Sequence, residues 1–196
     1  MLMFSRAEAG REFSDEGPQH SKTFLVECLA WGLLRAYGVA APPVPVREMI
    51  RNALPVFERL SLLELDLGLY DAVYRPLLDG SRLIAVDLAK THAVQRASMA
   101  RELYVAFCRS PRAVELGWSC YEHPYAYGEL FARCLLMPDA WVQQACIEGA
   151  SVEQLAAHFQ VPVQMVVRRL SELGLQAPGL VAGHANHGAE DGPGLE

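Results

Sequence analysis

The sequence predicts a mostly helical α+β fold, and three patterns along its 196 residues carry that prediction. Apolar residues recur at helical spacing before residue 54 and again after residue 91, with capping residues at the junctions. Between them, from about 62 to 87, the spacing drops to two, as in half-buried strands. After residue 150 two short helical runs flank a three-residue turn. Helices, a small sheet, then more helices make an α+β plan.

Residues 1–20 are polar, mixed in charge and without periodicity, an arm expected to be disordered. Ser21 reads as the cap of a first helix that places Leu25, Cys28, Leu29, Leu33 and Tyr37 on one face and ends at Gly38. Ala41-Pro42-Pro43-Val44-Pro45 makes a stiff connector, because each proline fixes φ and withholds an N–H. A short helix over 46–54 follows. Leu63, Leu65, Leu67 and Leu69 then alternate with Glu64, Asp66, Gly68 and Tyr70, which assigns the leucines to the inward face of a strand. Residues 73–78, the turn Asp79-Gly80 and residues 82–86 read as a hairpin. The expected sheet is small and antiparallel, with two or three strands.

Thr91 is placed to cap a long helix reaching about Arg109, where Ser110-Pro111 stops it. Pro124 opens a helix to about Met137, and Pro138-Asp139 begins another to about Glu148. Residues 151–159 and 163–173 form a helix pair about Gln160-Val161-Pro162, ended by Gly174. Beyond Ala177, Gly, His and acidic residues dominate a second segment expected to be disordered. The expected organisation is an arm (1–20), a main domain (21–148), a helical pair (149–176) and a tail (177–196).

Composition narrows the function classes. With 52% hydrophobic and 20% charged residues, a chain of this size buries about 70% of its unfolded surface, enough for one core. No window offers about 18 uninterrupted apolar residues, which excludes a membrane-spanning helix. The start, Met1-Leu2-Met3-Phe4-Ser5-Arg6, lacks the basic and apolar stretches of a secretory signal, so a cytoplasmic protein is expected. Five cysteines (Cys28, Cys108, Cys120, Cys134, Cys146) are odd in number, widely spread and form no CxxC pair. That argues against a disulfide framework or a thiolate zinc knuckle, and the thiols are expected to be reduced. A net charge of -6 disfavours a general nucleic-acid binder.

Two stretches are more specific. Residues 95–108 read Gln-Arg-Ala-Ser-Met-Ala-Arg-Glu-Leu-Tyr-Val-Ala-Phe-Cys, and residues 130–138 read Leu-Phe-Ala-Arg-Cys-Leu-Leu-Met-Pro. In this order, after an N-terminal helix and a small sheet, they resemble the ImmA/IrrE family of bacterial metallopeptidases over about 24–175. The resemblance implies a zincin-like metallopeptidase fold and a role in stress or mobile-element control through DNA-binding repressors. It also implies a zinc helix with a His-Glu-x-x-His motif. There, two imidazoles at i and i+4 share one helix face and hold Zn²⁺, while the Glu acts as general base on bound water.

At the motif positions this sequence has Arg101, Glu102, Leu103, Tyr104 and Val105. Both histidine positions are replaced, and only Glu102, at the general-base position, keeps its type. The family's third ligand is an acidic residue slightly before the Phe-Ala pair. The nearest positions here are Tyr125 and Tyr127, flanked by Glu122 and Glu129. A guanidinium stays protonated and offers no lone pair, so Arg101 repels a dication where a ligand would stand. Substitute ligands would have to come from His92, His123, Cys108 or Glu129. Alternatively, Arg101 supplies the missing positive charge itself by pairing with Glu129 or Glu122 across two helices. The expectation is a pseudoenzyme with no metal and no cofactor, zinc entering only if a relocated ligand set exists.

Residues 151–170 resemble a helix-turn-helix, with Leu155, Ala156, Val161, Val166 and Leu170 at the apolar contact positions. Gln160, Gln164, Arg168 and Arg169 are its candidate DNA contacts. Glu148, Glu153 and Glu172 offset the arginines, so packing or protein binding is expected ahead of DNA. Tyr121, Tyr125, Tyr127 and Phe131 form an aromatic patch, read as core filling or as a peptide-binding floor. His184 and His187 form at most a weak metal pair in the tail. The functional expectation is a regulatory or interaction protein with a protein partner such as a helix-turn-helix repressor, and neither membrane nor nucleic acid. Two alternatives stand beside it: a zinc endopeptidase with unconventional ligands, and a DNA-binding regulator.

Overall fold

The computed structural model describes residues 18–118 and 124–176. Residues 1–17 of the N-terminal arm, Cys120, Tyr121, Glu122, His123 and the tail with His184 and His187 lie outside the described residues, while residues 18–20, expected in the arm, already belong to the first helix, which starts before Ser21. The first helix, α1 (Pro18–Ala36), buries Val26, Ala30, Leu33 and Leu34 and packs on a later helix, α5 (Pro124–Leu136). Leu25 and Cys28, expected on that face, are exposed, because α1 carries apolar residues on two sides. Gly38 ends the helix at φ +65°, a value that glycine adopts without strain. The Tyr37 hydroxyl then donates to the Met49 carbonyl (2.8 Å) and accepts from the Leu54 N–H (3.0 Å). Those two bonds tie the end of α1 to α2 (Val46–Arg51) and to the 3-10 turn Pro55–Phe57.

Three strands follow: β1 (Leu60–Leu65), β2 (Ala72–Pro76) and β3 (Arg82–Asp87). β2 and β3 form the expected antiparallel hairpin, with Tyr74 opposite Ile84. β1 pairs parallel with β3, Leu62 opposite Ile84, so the order is β1-β3-β2 and the sheet is mixed rather than antiparallel. Local alternation sets which residues face inward, whereas the partner strand is chosen by long-range packing. The phase of β1 also differs. Leu60 is buried and Leu62 packs on the core, while Leu63 is exposed and Leu69 lies fully exposed beyond the strand. A strand with leucines in both phases does not declare its inward face.

The long helix α3 (His92–Cys108) starts where Thr91 accepts the Val94 N–H. It packs against α2, β2, β3 and α5, with Met99, Ala100, Leu103 and Ala106 fully buried. Ser110-Pro111 acts as a start as well as a stop: Ser110 caps α4 (Pro111–Glu115) by accepting the Ala113 N–H. α5 is followed by α6 (Asp139–Ile147), α7 (Val152–Phe159) and α8 (Val163–Glu172). Ser151 and Gln154 close a capping box at α7, and each satisfies the other's backbone N–H. One apolar cluster runs from α1 to α8. Among the cysteines, Cys28, Cys134 and Cys146 are free, but Cys108 is disulfide-bonded, which corrects the expectation of reduced thiols throughout. No helix among the described residues is long and apolar enough to cross a membrane.

Candidate functional site

Glu102 lies on the side of α3 that meets the sheet and is 5% exposed. Among the described residues β2 is an edge strand paired only with β3, and the Tyr74 N–H on β2 donates to Glu102 Oε2 at 3.1 Å. The carboxylate thus satisfies a strand N–H that no neighbouring strand takes. Its other oxygen, Oε1, accepts from Arg101 Nε at 3.1 Å. Burial pushes the Glu102 carboxyl above its ordinary range, and the Arg101 charge pulls it part of the way back.

Arg101 reaches from α3 to α5, where Nη1 donates to Glu129 Oε1 at 3.0 Å. Burial opposes the cation, but the bonds to Glu129 and Glu102 outweigh it and hold the guanidinium above its ordinary value. The approach depends on Gly128. A Cβ there would lie 2.9 Å from Arg101 Cγ and 3.5 Å from the Arg101 carbonyl oxygen. Gly128 is not among the residues that the motifs single out, although an isolated glycine inside an apolar helix is a signal of close packing. The Tyr104 and Phe131 rings pack between the same two helices, with centroids 5.4 Å apart and planes tilted by 35°.

The remaining ligand positions disperse. Val105 is half-buried, Tyr125 is 72% exposed, and Tyr127 packs against the core. Of the substitute donors, His92 is exposed and Cys108 is disulfide-bonded. A zinc site needs at least three lone-pair donors turned to one point. Here a guanidinium stands beside Glu102, whose two oxygens are both engaged, and valine and tyrosine hold the other positions. Among the described residues no group of three or more His, Cys, Asp or Glu is gathered for a metal. These side chains do not fit a zinc ion.

Beside Arg101 opens a cavity of about 250 Å³ between α3, α5 and α8. Arg101, Glu129, Arg133, Gln164, Met165 and Arg168 line it, so the motif helix and the helix-turn-helix-like pair share one surface. Gln164 and Arg168 are exposed. Arg169, grouped with them as a DNA contact, is instead 2% exposed. Its Nε donates to the Met137 carbonyl (3.1 Å), Nη2 bonds Asp139, and Nη1 lies 3.5 Å from Glu172. Glu172 also receives a fork from Arg133, at 2.6 and 3.0 Å. Position 169 falls three and four residues after Val166 and Met165, on the buried stripe of α8, so this guanidinium anchors the helix rather than reaching outward. Glu27 of α1 faces the same network. Burial raises its carboxyl, and Asp139 and Glu172 add to the rise.

Residues 59–171 match the model of the IrrE N-terminal-like domain, more than half of the sequence. The chain belongs to the IrrE N-terminal-like domain family. In this IrrE-like chain the matched region begins at β1 and ends within α8, and so takes in Arg101, Glu102 and Glu129. A solved Mycobacterium tuberculosis transcriptional regulator is similar at 16% identity with a TM-score of 0.54, over 76% of this chain and 46% of that one. At that identity the likeness is one of fold, and this chain spans less than half the regulator's length. No curated protein matches the chain.

Proposed function

We propose that this IrrE-like chain is a regulatory interaction protein that has given up zinc hydrolysis and binds a protein partner on its peptidase scaffold. The observation that carries the reading is the Arg101 fork: a fixed cation at the first ligand position, bonded to Glu102 and Glu129. With both Glu102 oxygens engaged, the carboxylate that would activate water serves the structure instead. The partner class follows from the family: a helix-turn-helix repressor, held without being cut, in stress or mobile-element control within the bacterial cytoplasm. A DNA-binding role retains Gln160, Gln164 and Arg168 as exposed contacts, since Arg169 is buried.

Metal analysis of the purified full chain tests the reading. Zinc well below one ion per chain is expected, together with binding of a repressor that stays intact. Stoichiometric zinc and chelator-sensitive cleavage would overturn it. A zinc endopeptidase with unconventional ligands has one observation in its favour, the buried Glu102 with its raised carboxyl, and that result would select it.

A further inference from the structure

We infer that the cavity between α3, α5 and α8 binds a small amphipathic carboxylate, gripped by Arg101, Arg133 and Arg168. Its volume, about 250 Å³, lies just under the range of roughly 300–1,000 Å³ for drug-sized sites, so the ligand is small. The lining has two characters. Val94, Ala97 and Met165 offer an apolar wall, and the three arginines offer N–H donors.

Each guanidinium has five N–H donors, and none of the three is saturated. The Arg133 side chain is only 7% exposed. It uses Nε and Nη2 on Glu172, which leaves Nη1 without a partner among the described residues. Arg101 uses Nε and Nη1 on Glu102 and Glu129, leaving Nη2. Arg168 is exposed and has no ion pair among the described residues. Two acidic residues also line the cavity, but each is already engaged: Glu129 with Arg101, and Asp71 with Lys90 at 3.2 Å. A carboxylate is the ligand that takes planar pairs of N–H donors, and a short apolar body suits the opposite wall. Because the arginines come from three helices, occupancy ties α8 to α3 and α5.

The inference concerns the free chain and a small molecule, so it stands or falls apart from the partner reading. The test titrates the full chain with sodium benzoate, benzamide or inorganic phosphate while amide NMR shifts on α3 and α8 are followed. Benzoate is expected to saturate. Benzamide (the same shape without charge) and phosphate (charge without the apolar body) should each bind about tenfold more weakly, as when a charged hydrogen bond or a buried ring is lost. Arg168→Gln, at an exposed position that leaves the fold intact, should weaken benzoate about tenfold, whereas Arg35→Gln on α1 should not change it. Absence of saturable shifts, equal binding of benzamide or phosphate, or unchanged binding by Arg168→Gln would overturn the inference.

Discussion

Arg101 on α3 and Glu129 on α5 meet at 3.0 Å, and the same guanidinium reaches Glu102 at 3.1 Å. One cation therefore serves two carboxylates, of which Glu102 is buried and Glu129 is 41% exposed along its side chain. The buried partner sets the energetics. An exposed ion pair contributes about 0–1 kcal/mol, whereas an uncompensated buried charge costs several.

Arg101→Ala should accordingly lower stability by about 3 kcal/mol, read by urea denaturation. Adding Glu102→Gln should return part of that loss. The amide is neutral and still offers an oxygen to the Tyr74 N–H. A double variant less stable than Arg101→Ala alone would contradict this account.

The same deficit should depend on pH. Burial already raises the Glu102 carboxyl above its ordinary value of 4.5, and Arg101 lowers it, so removing Arg101 lets it rise further. A carboxyl raised in the folded state favours folding while protonated, and that contribution is lost as pH climbs through the folded value. The Arg101→Ala deficit should therefore be largest near neutrality and shrink as pH falls toward 4.5. Denaturation curves of both proteins across that window check the sign.

Gly128→Ala sets two effects against each other. Alanine gains about 1 kcal/mol of helix propensity, but its Cβ would lie 2.9 Å from Arg101 Cγ, next to the backbone rather than at the mobile end of the side chain. Overpacking of that kind costs about 1–3 kcal/mol, so a net loss is expected. In an Arg101→Ala background the same substitution should become neutral or stabilising, and a double-mutant cycle measures the coupling.

Arg168 and Arg169 are neighbours in sequence and opposites in consequence. Arg169→Ala leaves the buried Met137 carbonyl without its donor, while the exposed Asp139 stays solvated, and should cost about 1–3 kcal/mol. Arg168→Ala, at an exposed position, should stay within about 0.5 kcal/mol. Thermal unfolding of the two variants side by side decides the matter.

Thiol labelling should separate the free cysteines. Burial pushes the Cys134 thiol up to about 12, so almost no thiolate forms at pH 8. Cys28 is exposed. With an alkylating reagent, mass spectrometry should find Cys28 modified in the native protein and Cys134 modified only after unfolding.

Much of this fold could be read in advance because caps and prolines mark boundaries locally. Thr91, Pro124, Ser151 and Gly174 each sit where a helix starts or stops. What escaped reading depends on contacts between distant segments. Nothing in Leu60–Leu65 specifies β3 as a parallel partner, and nothing in its leucines selects the inward phase. Nor do the spacings of five cysteines reveal that Cys108 is disulfide-bonded. At the site, the motif register marks Arg101 and Glu102, and leaves Glu129 and Glu122 as alternative partners, but the Tyr74 bond depends on the edge of a sheet whose strand order local sequence does not specify. Arg169 differs from the expectation for another reason: its residue type suggests a surface contact, while its spacing from Val166 and Met165 places it on the buried stripe of α8.

The bonds of Arg101 also fix what a metal centre would require of this scaffold. A histidine at position 101 would leave Glu129 unanswered, and Glu102 would keep only its hold on Tyr74. A second imidazole at 105 and a third donor on α5 would have to arrive together before any benefit appeared. Building a metal site into this scaffold therefore calls for several substitutions at once, and the change at 101 by itself is expected to lower stability by unpairing the buried Glu102.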